Sequence, residues 1–292
     1  MRLAALHSQF TVVRDGEFKT LGASFHREED MLVYVDDEKH VVEVLGNPCA
    51  SCVLTTPELA DQFPSGGVAT SALPDDTFYA LHDQLGKAGF YGGREETVFG
   101  RCMDVSRAAY VADWNVVLQD GVTIEPRAVI LPGSVIEEGA TIRAGAVIGS
   151  EGFKVRRWGP GIPPRMVPHF GYVRIGPYVE IQSNCSVNKN IFGGYTDVGA
   201  DTKVNNLVHI AHNVKIGQRV LIGGGAKLCG AAIVGDDVWI GPGAVVTRVM
   251  VGDRAKVMAG AVVTKDVLND TKVTGNFAIP HERFIAFMKS IK

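Results

Sequence analysis

Ile124-Glu125-Pro126-Arg127-Ala128-Val129, Ile130-Leu131-Pro132-Gly133-Ser134-Val135, Ile136-Glu137-Glu138-Gly139-Ala140-Thr141 and Ile142-Arg143-Ala144-Gly145-Ala146-Val147 follow one another without a break. Each window of six opens on isoleucine and sets a small residue, Ala128, Ser134, Ala140 or Ala146, four places later. After an interruption the beat returns, with Ile210, Ile216, Ile222, Leu228, Val234, Ile240 and Val246 six apart. An amphipathic helix repeats at about 3.6 residues and a half-buried strand at about 2. A period of six, punctuated by glycine, asparagine and aspartate, instead predicts short strands joined by tight corners, three strands to a coil. Parallel pairing stacks successive coils at about 4.8 Å, so the core is an aliphatic column and residues eighteen apart lie above one another.

Residues 1–105 lack this beat and read as a small α/β domain. Val41 to Leu45, Cys52 to Thr55 and Val68 to Ser71 are expected as short buried strands, and Pro57 to Phe63 as a helix capped by Thr56. A second helix, capped by Asp75 or Asp76, carries Phe78, Leu81 and Leu85 on one face, with Gly86 and Gly89 closing it. Residues 106–275 form the parallel β-helix of hexapeptide repeats, and 276–292 leave room for one short C-terminal helix. The interruption at 149–172 is rich in glycine and proline and also holds Phe153, Arg156, Arg157 and Trp158. It cannot continue the coil and is expected to project over a neighbouring surface.

Composition removes several classes of function. The 292 residues are 46% hydrophobic and 21% charged, which argues against disorder. Lysine plus arginine number 29 against 32 acidic residues, so no basic field advertises nucleic acid. The opening Met1 to Leu6 is cut short by His7, and no stretch approaches a membrane span, so a cytoplasmic protein is expected. Five scattered cysteines read as reduced, buried residues rather than a disulfide framework.

The chemistry concentrates in Asn205-Asn206-Leu207-Val208-His209-Ile210-Ala211-His212-Asn213-Val214. Two histidines on a coil edge are either a solvated corner, part of a zinc site, or a general base. Among eight histidines none besides His209 and His212 lies in the regular coil, since His169 is in the insertion and His281 in the tail. A zinc hydratase would need its third ligand from one of those irregular segments, so no metal is expected. An imidazole has an unperturbed pKa near 6.5, which suits proton transfer at neutral pH. Eighteen residues beyond His212 is Gly230, whose N–H should lie one coil away, where a developing oxyanion could be held.

These residues carry a resemblance. Gly149-Ser150-Glu151-Gly152-Phe153 resembles the loop-opening Gly-x-x-Gly-Phe, and Ile210-Ala211-His212-Asn213-Val214 the Ile-Ala-His-Asn signature, of the UDP-3-O-acylglucosamine N-acyltransferases of lipid A synthesis. The resemblance implies a left-handed β-helix, a homotrimer, and catalysis by His212 with Gly230 as oxyanion donor, supported by His209 and Asn213. It implies N-acyl transfer from a thioester to the amine of a nucleotide-linked amino sugar for a surface glycan or lipid A, with no bound cofactor. The lipid A enzyme proper, a β-helical zinc hydratase and a non-catalytic scaffold are the alternatives. Arg248 stands where the family has a further histidine, and either contacts the donor or a phosphate or forms a solvated corner. Tyr34 and His40 fall where a Phe and a Tyr sandwich uracil in the family, with Asp37 in place of asparagine, so residues 1–105 are expected to bind the nucleotide. The family's longer C-terminal helices hold acyl carrier protein. The short tail here leaves coenzyme A or a differently bound carrier protein as donor.

Overall fold

The six-residue beat becomes strands of two to four residues laid in three parallel sheets, of nine, eight and eight strands among the described residues. The computed structural model describes residues 1–157, 161–275, 278 and 280–290. Trp158 of the insertion, with Gly159 and Pro160, lies outside the described residues, as do Asn276, Phe277, Ile279, Ile291 and Lys292 of the tail. The isoleucines that open each window point inward. Ile124, Ile130, Ile136, Ile142, Ile148 and Ile210 are all buried in one continuous column, with Ala128, Ala140 and Ala146 beside them. The architecture is the expected left-handed parallel β-helix.

Coil register follows the eighteen-residue spacing in two stretches, as where Thr123 faces Thr141 and Lys215 faces Ile233. It departs at the first coil, where Asp104 faces Thr123 nineteen on, at the last, where Lys256 faces Lys272 sixteen on, and in three places between. Ser134 faces Val173, thirty-nine residues on, because the 149–172 insertion leaves the coil between them. Ser186 faces His209, twenty-three on, because a second, unanticipated insertion at 189–194 leaves from the corner one coil later. Val245 faces Val262, a coil one residue short. Both insertions therefore emerge at the corner between the second and third sheets, where Asn213 and Ala231 also stand in left-handed conformation. The corner between the third and first sheets is uniform by contrast. There Asp201, Arg219, Asp237, Arg254 and Asp270 occupy successive left-handed positions with φ of 55° to 59°, and Arg219 pairs with Asp237 and Arg254 with Asp270, each at 2.7 Å.

The N-terminal domain is a five-stranded sheet of β1 (Thr11–Arg14), β2 (Thr20–Leu21), β3 (Met31–Val35), β4 (Ala50–Thr55) and β5 (Gly67–Thr70), in the order β1-β5-β4-β3-β2. The pairs β2–β3, β3–β4 and β4–β5 are parallel, while β1 runs antiparallel to β5. Val41–Leu45 is not a strand but a helix, α1, because Asp37 caps the turn before it by accepting from Lys39 N–H at 3.0 Å. Burial three apart, at Val41 and Val44 with Val42 and Leu45 exposed, fits a helical face. Pro57–Gln62 is a 3-10 helix with no side-chain cap from Thr56. The long helix α2 (Pro74–Lys87) starts on Pro74, so Asp75 and Asp76 sit in its first turn rather than at its cap. Gly86 does not close α2. The Phe170 ring lies where its Cβ would be, with Cε2 2.1 Å from that point.

The 149–172 segment packs on its own chain. Val155–Arg156 and Arg165–Met166 form a small antiparallel hairpin. Arg156 pairs with Asp75 and, at 2.7 Å, with Asp76, and lies 4.6 Å from the Tyr79 ring centre. His82 Nε2 donates to Pro168 O at 2.9 Å, and Val167 is buried among the aromatic residues of the N-terminal core. The insertion is thus a tie between the coil and α2. The five cysteines are unpaired, with Cys52 and Cys185 buried and Cys49, Cys102 and Cys229 at least partly exposed. The tail carries α3 (His281–Ser290), and no helix among the described residues is long and apolar enough to cross a membrane.

Candidate active site

Four coils in succession bring material to one corner: the two insertions, His212 with Asn213, and Gly230 with Ala231. Coil stacking sets the last two directly, since Ala231 N–H donates to His212 O at 3.0 Å. A Cβ on Gly230 would stand 2.5 Å from His212 Cε1 and 2.8 Å from Nε2, so only glycine lets the imidazole lie flat against the next coil. The N–H of Gly230 has no hydrogen-bond acceptor among the described residues. Gly152, from the first insertion, covers the other side, its missing Cβ 2.8 Å from His212 Cδ2 and 3.1 Å from His169 Nε2.

The orientation of His212 can be read from its partners. Its Nδ1 lies 3.0 Å from Asn213 Oδ1. That oxygen also accepts the backbone N–H of Ile191 at 3.2 Å, which identifies it as the amide's acceptor end. His212 Nδ1 therefore carries the proton, and Nε2 offers a lone pair. Burial holds the His212 pKa below its ordinary value, with the Asn213 hydrogen bond acting in the opposite sense and Lys154 adding to the depression. A neutral imidazole with an open Nε2 is what a general base requires.

Replacing Gly230 by alanine should displace the ring and lower kcat by about 10²-fold with the coil intact, the order expected for losing positioned acid–base help. Rate measurements beside a thermal melt check this, and a fast, stable variant would detach Gly230 from the site.

The structure surrounds this base with residues that the sequence did not nominate. His169, buried, has its ring centre 5.5 Å from that of His212, and its Nδ1 donates to Val167 O at 2.9 Å, while Nε2 has no hydrogen-bond partner among the described residues. His26 comes from the 22–30 segment of the N-terminal domain, and its pKa falls to about 3 through burial and then the nearby charges of His212, Lys215, Lys154 and Arg248. Burial also lowers the pKa of Lys154. One signal of the second insertion was present: Val187 and Val198 are eleven apart, which is not a multiple of six.

Other expected residues are distributed as follows. His209 faces outward on the second sheet between Ser186 and Lys227, half-buried, on the flat face rather than the corner. The Arg248 guanidinium lies 4.1 Å from the Phe25 ring centre and makes no salt bridge among the described residues. Tyr34 and His40 make no ring contact with each other among the described residues. The Tyr34 ring packs on Phe78 and Tyr79, at 5.0 and 6.0 Å between centres, whereas His40 Nδ1 lies 3.5 Å from Glu43 on the following helix and Asp37 caps the turn between them. Among the described residues no three His, Cys, Asp or Glu side chains are grouped to hold a metal ion, so the hydratase alternative has no ligand set there.

Residues 115–150, 195–230 and 231–265 match the bacterial transferase hexapeptide repeat, so the coil is of the kind found in hexapeptide transferases. In sequence the chain is similar to UDP-3-O-acylglucosamine N-acyltransferases. It is 39% identical to that of Maricaulis maris over 85 residues, and 43% identical to enzyme 1 of Francisella tularensis strain SCHU S4 over 83 residues. These matches cover 29% and 28% of this chain and 24% of each relative, so the chain spans about a quarter of the length of the curated relatives it matches. In structure it shares the fold of a UDP-N-acetylglucosamine acyltransferase from Campylobacter jejuni, with a TM-score of 0.54 and 17% identity, over 67% of this chain and 79% of that one.

Proposed function

We propose that this chain is an N-acyltransferase that moves an acyl group from a thioester, of coenzyme A or acyl carrier protein, to the amine of a nucleotide-linked amino sugar in surface-glycan or lipid A biosynthesis. The observation that carries the reading is the pairing of an open His212 Nε2 with the unengaged N–H of Gly230 one coil away. The amine nitrogen attacks the thioester carbonyl while Nε2 takes its proton. The carbonyl oxygen becomes an oxyanion held by Gly230 N–H. Collapse forms the amide, breaks the C–S bond, and the thiolate leaves with the proton returned by the imidazolium. Lys154 and Arg248, cations without a carboxylate partner among the described residues, suit the phosphates that both the nucleotide and a pantetheine arm carry.

In this reading the N-terminal domain, with Tyr34, Asp37 and His40, holds the nucleotide. A cavity of about 290 Å³ lined by Asp36, Thr56, Leu73, Pro74 and Asp75 supports it, because it opens at the carboxyl ends of parallel β3, β4 and β5, where α/β sheets commonly bind ligands. Exposed Leu221 and Trp239, neighbours on one flat face of the coil, support assembly into a closed homotrimer. The lipid A enzyme itself is a narrower form of the same reading, favoured by the names of the relatives matched.

The test is amide formation with acyl-CoA and acyl carrier protein donors against UDP-, dTDP- and GDP-linked amino sugars. Saturable turnover with one pairing is expected, and acyl transfer with none of them would overturn the reading.

A further inference from the structure

Beyond the base and its oxyanion donor, a chain of buried amides runs from His212 back to the N-terminal domain. Asn213, buried, holds its φ at 64° and places its backbone N–H 2.8 Å from Thr196 Oγ1, which fixes the residue against the core. Its Nδ2 donates to Asn190 Oδ1 at 2.7 Å. That oxygen also accepts the backbone N–H of Phe192 at 2.9 Å. The Nδ2 of Asn190 then faces Tyr195 O at 3.2 Å and Glu28 Oε1 at 3.4 Å, and Lys215 Nζ lies 2.9 Å from the same carboxylate oxygen. Asn190 is fully buried and stands in the 189–194 insertion.

The polarity of this chain has no freedom. An Asn amide cannot by itself tell its neighbours which end donates, since its oxygen and nitrogen are interchangeable in shape. Backbone N–H groups can only donate. Ile191 N–H fixes the Asn213 oxygen and Phe192 N–H fixes the Asn190 oxygen, so a flip at either residue would oppose two donors at 2.7 to 3.2 Å and leave buried polar groups unpaired. The consequence reaches His212, which meets an acceptor and nothing else at Nδ1.

We infer that Asn190 is a positioning residue that, through Asn213, locks His212 in the tautomer with its proton on Nδ1, and that the 189–194 insertion exists in the coil to supply this lock. The assignment deepens the acyltransferase reading, but its structural half stands without it. Glu28 and Lys215 terminate the relay, so the loop of the N-terminal domain that carries Glu28 also carries the far end of the lock.

The test is nitrogen NMR of the uniformly labelled protein, above the pH at which His212 titrates, joined to steady-state kinetics. In the parent chain His212 should show a protonated Nδ1 and an unprotonated Nε2. Asn190→Ala should raise the population of the other tautomer several-fold and lower kcat by about tenfold with KM nearly unchanged, the pattern of a group acting only on the chemical step. Asn190→Asp keeps an acceptor toward Asn213 Nδ2 and should retain the parent tautomer. Asn190→Ser, closer in size and polarity, replaces the alanine variant if that chain does not fold. A parent His212 protonated on Nε2, or an Asn190→Ala chain with the parent tautomer and parent kcat, would overturn the inference. If no acyl transfer is found with any donor, the tautomer measurements still decide it, so the two readings fail separately.

Discussion

His212→Ala should reduce kcat by about 10²- to 10⁴-fold, the span that positioned acid–base catalysis supplies. The loss should be catalytic rather than structural. The side chain sits at a corner outside the aliphatic column, and its backbone oxygen keeps the bond from Ala231 N–H. Circular dichroism, the thermal midpoint and the oligomer size should therefore match the parent. In the parent, burial depresses the His212 pKa, so protonation silences the base only at lower pH. The acid limb of kcat/KM should accordingly fall below the ordinary histidine value of about 6.5. A variant with near-parental turnover would remove His212 from the mechanism, and an acid limb above that value would contradict its burial.

The second large effect is on stability against acid. Three histidines are buried as neutral rings: His26 with a pKa lowered to about 3, His82 to about 4 and His169 to about 4, burial being the leading cause in each. Unfolded, each titrates near 6.5. Above that pH neither state binds the proton and the stability is fully present. As pH falls below it, the unfolded chain takes up protons that the folded chain refuses, and stability is lost progressively toward the folded values. Each proton steepens the loss by about 1.4 kcal/mol per pH unit, so three together approach about 4 kcal/mol per pH unit near pH 5 and less toward pH 4. Urea unfolding midpoints at stepped pH read this slope. His82→Gln, which removes one titrating ring from between Tyr91 and Pro168, should lower the slope by about one proton. Midpoints flat between pH 7 and 4.5 would show that these rings are hydrated or protonated in the folded chain.

The coil was legible because every strand repeats the same local bargain of one inward aliphatic, one small residue and one corner, so periodicity alone placed Ile124 to Val147 and Ile210 to Val246. The corner at His212 was legible for a related reason. In a stack, sequence distance is geometry, and eighteen residues took the reading from the imidazole to Gly230. What failed was whatever depended on a single tertiary contact. Val41 to Leu45 has the composition of a strand, and only the Asp37 cap and the face offered to the sheet make it helical. Gly86 looked like a terminator, whereas the Phe170 ring across the domain boundary explains it. His169 and His26 carry no sequence mark of their place beside His212, since the hairpin fold and the 22–30 segment deliver them there. Asn190 was hidden because the second insertion is only as long as a turn, although the broken beat between Val187 and Val198 marked its place.

The corner where Asp201, Arg219, Asp237, Arg254 and Asp270 alternate in sign bears on how the chain counts its own turns. A repetitive column can be wound with one turn left out, because every aliphatic layer resembles the next and the layers on either side of the gap still pack on one another. Charge parity does notice. Looping out the turn that carries Arg219 would seat Asp201 beside Asp237, and losing that of Asp237 would seat Arg219 beside Arg254. Each surface pair, screened by water, adds little to the finished fold. Yet a single miscount exchanges attraction for repulsion at the seam it creates, so a ladder nearly neutral for stability works as a check on winding while the polypeptide is still being laid down.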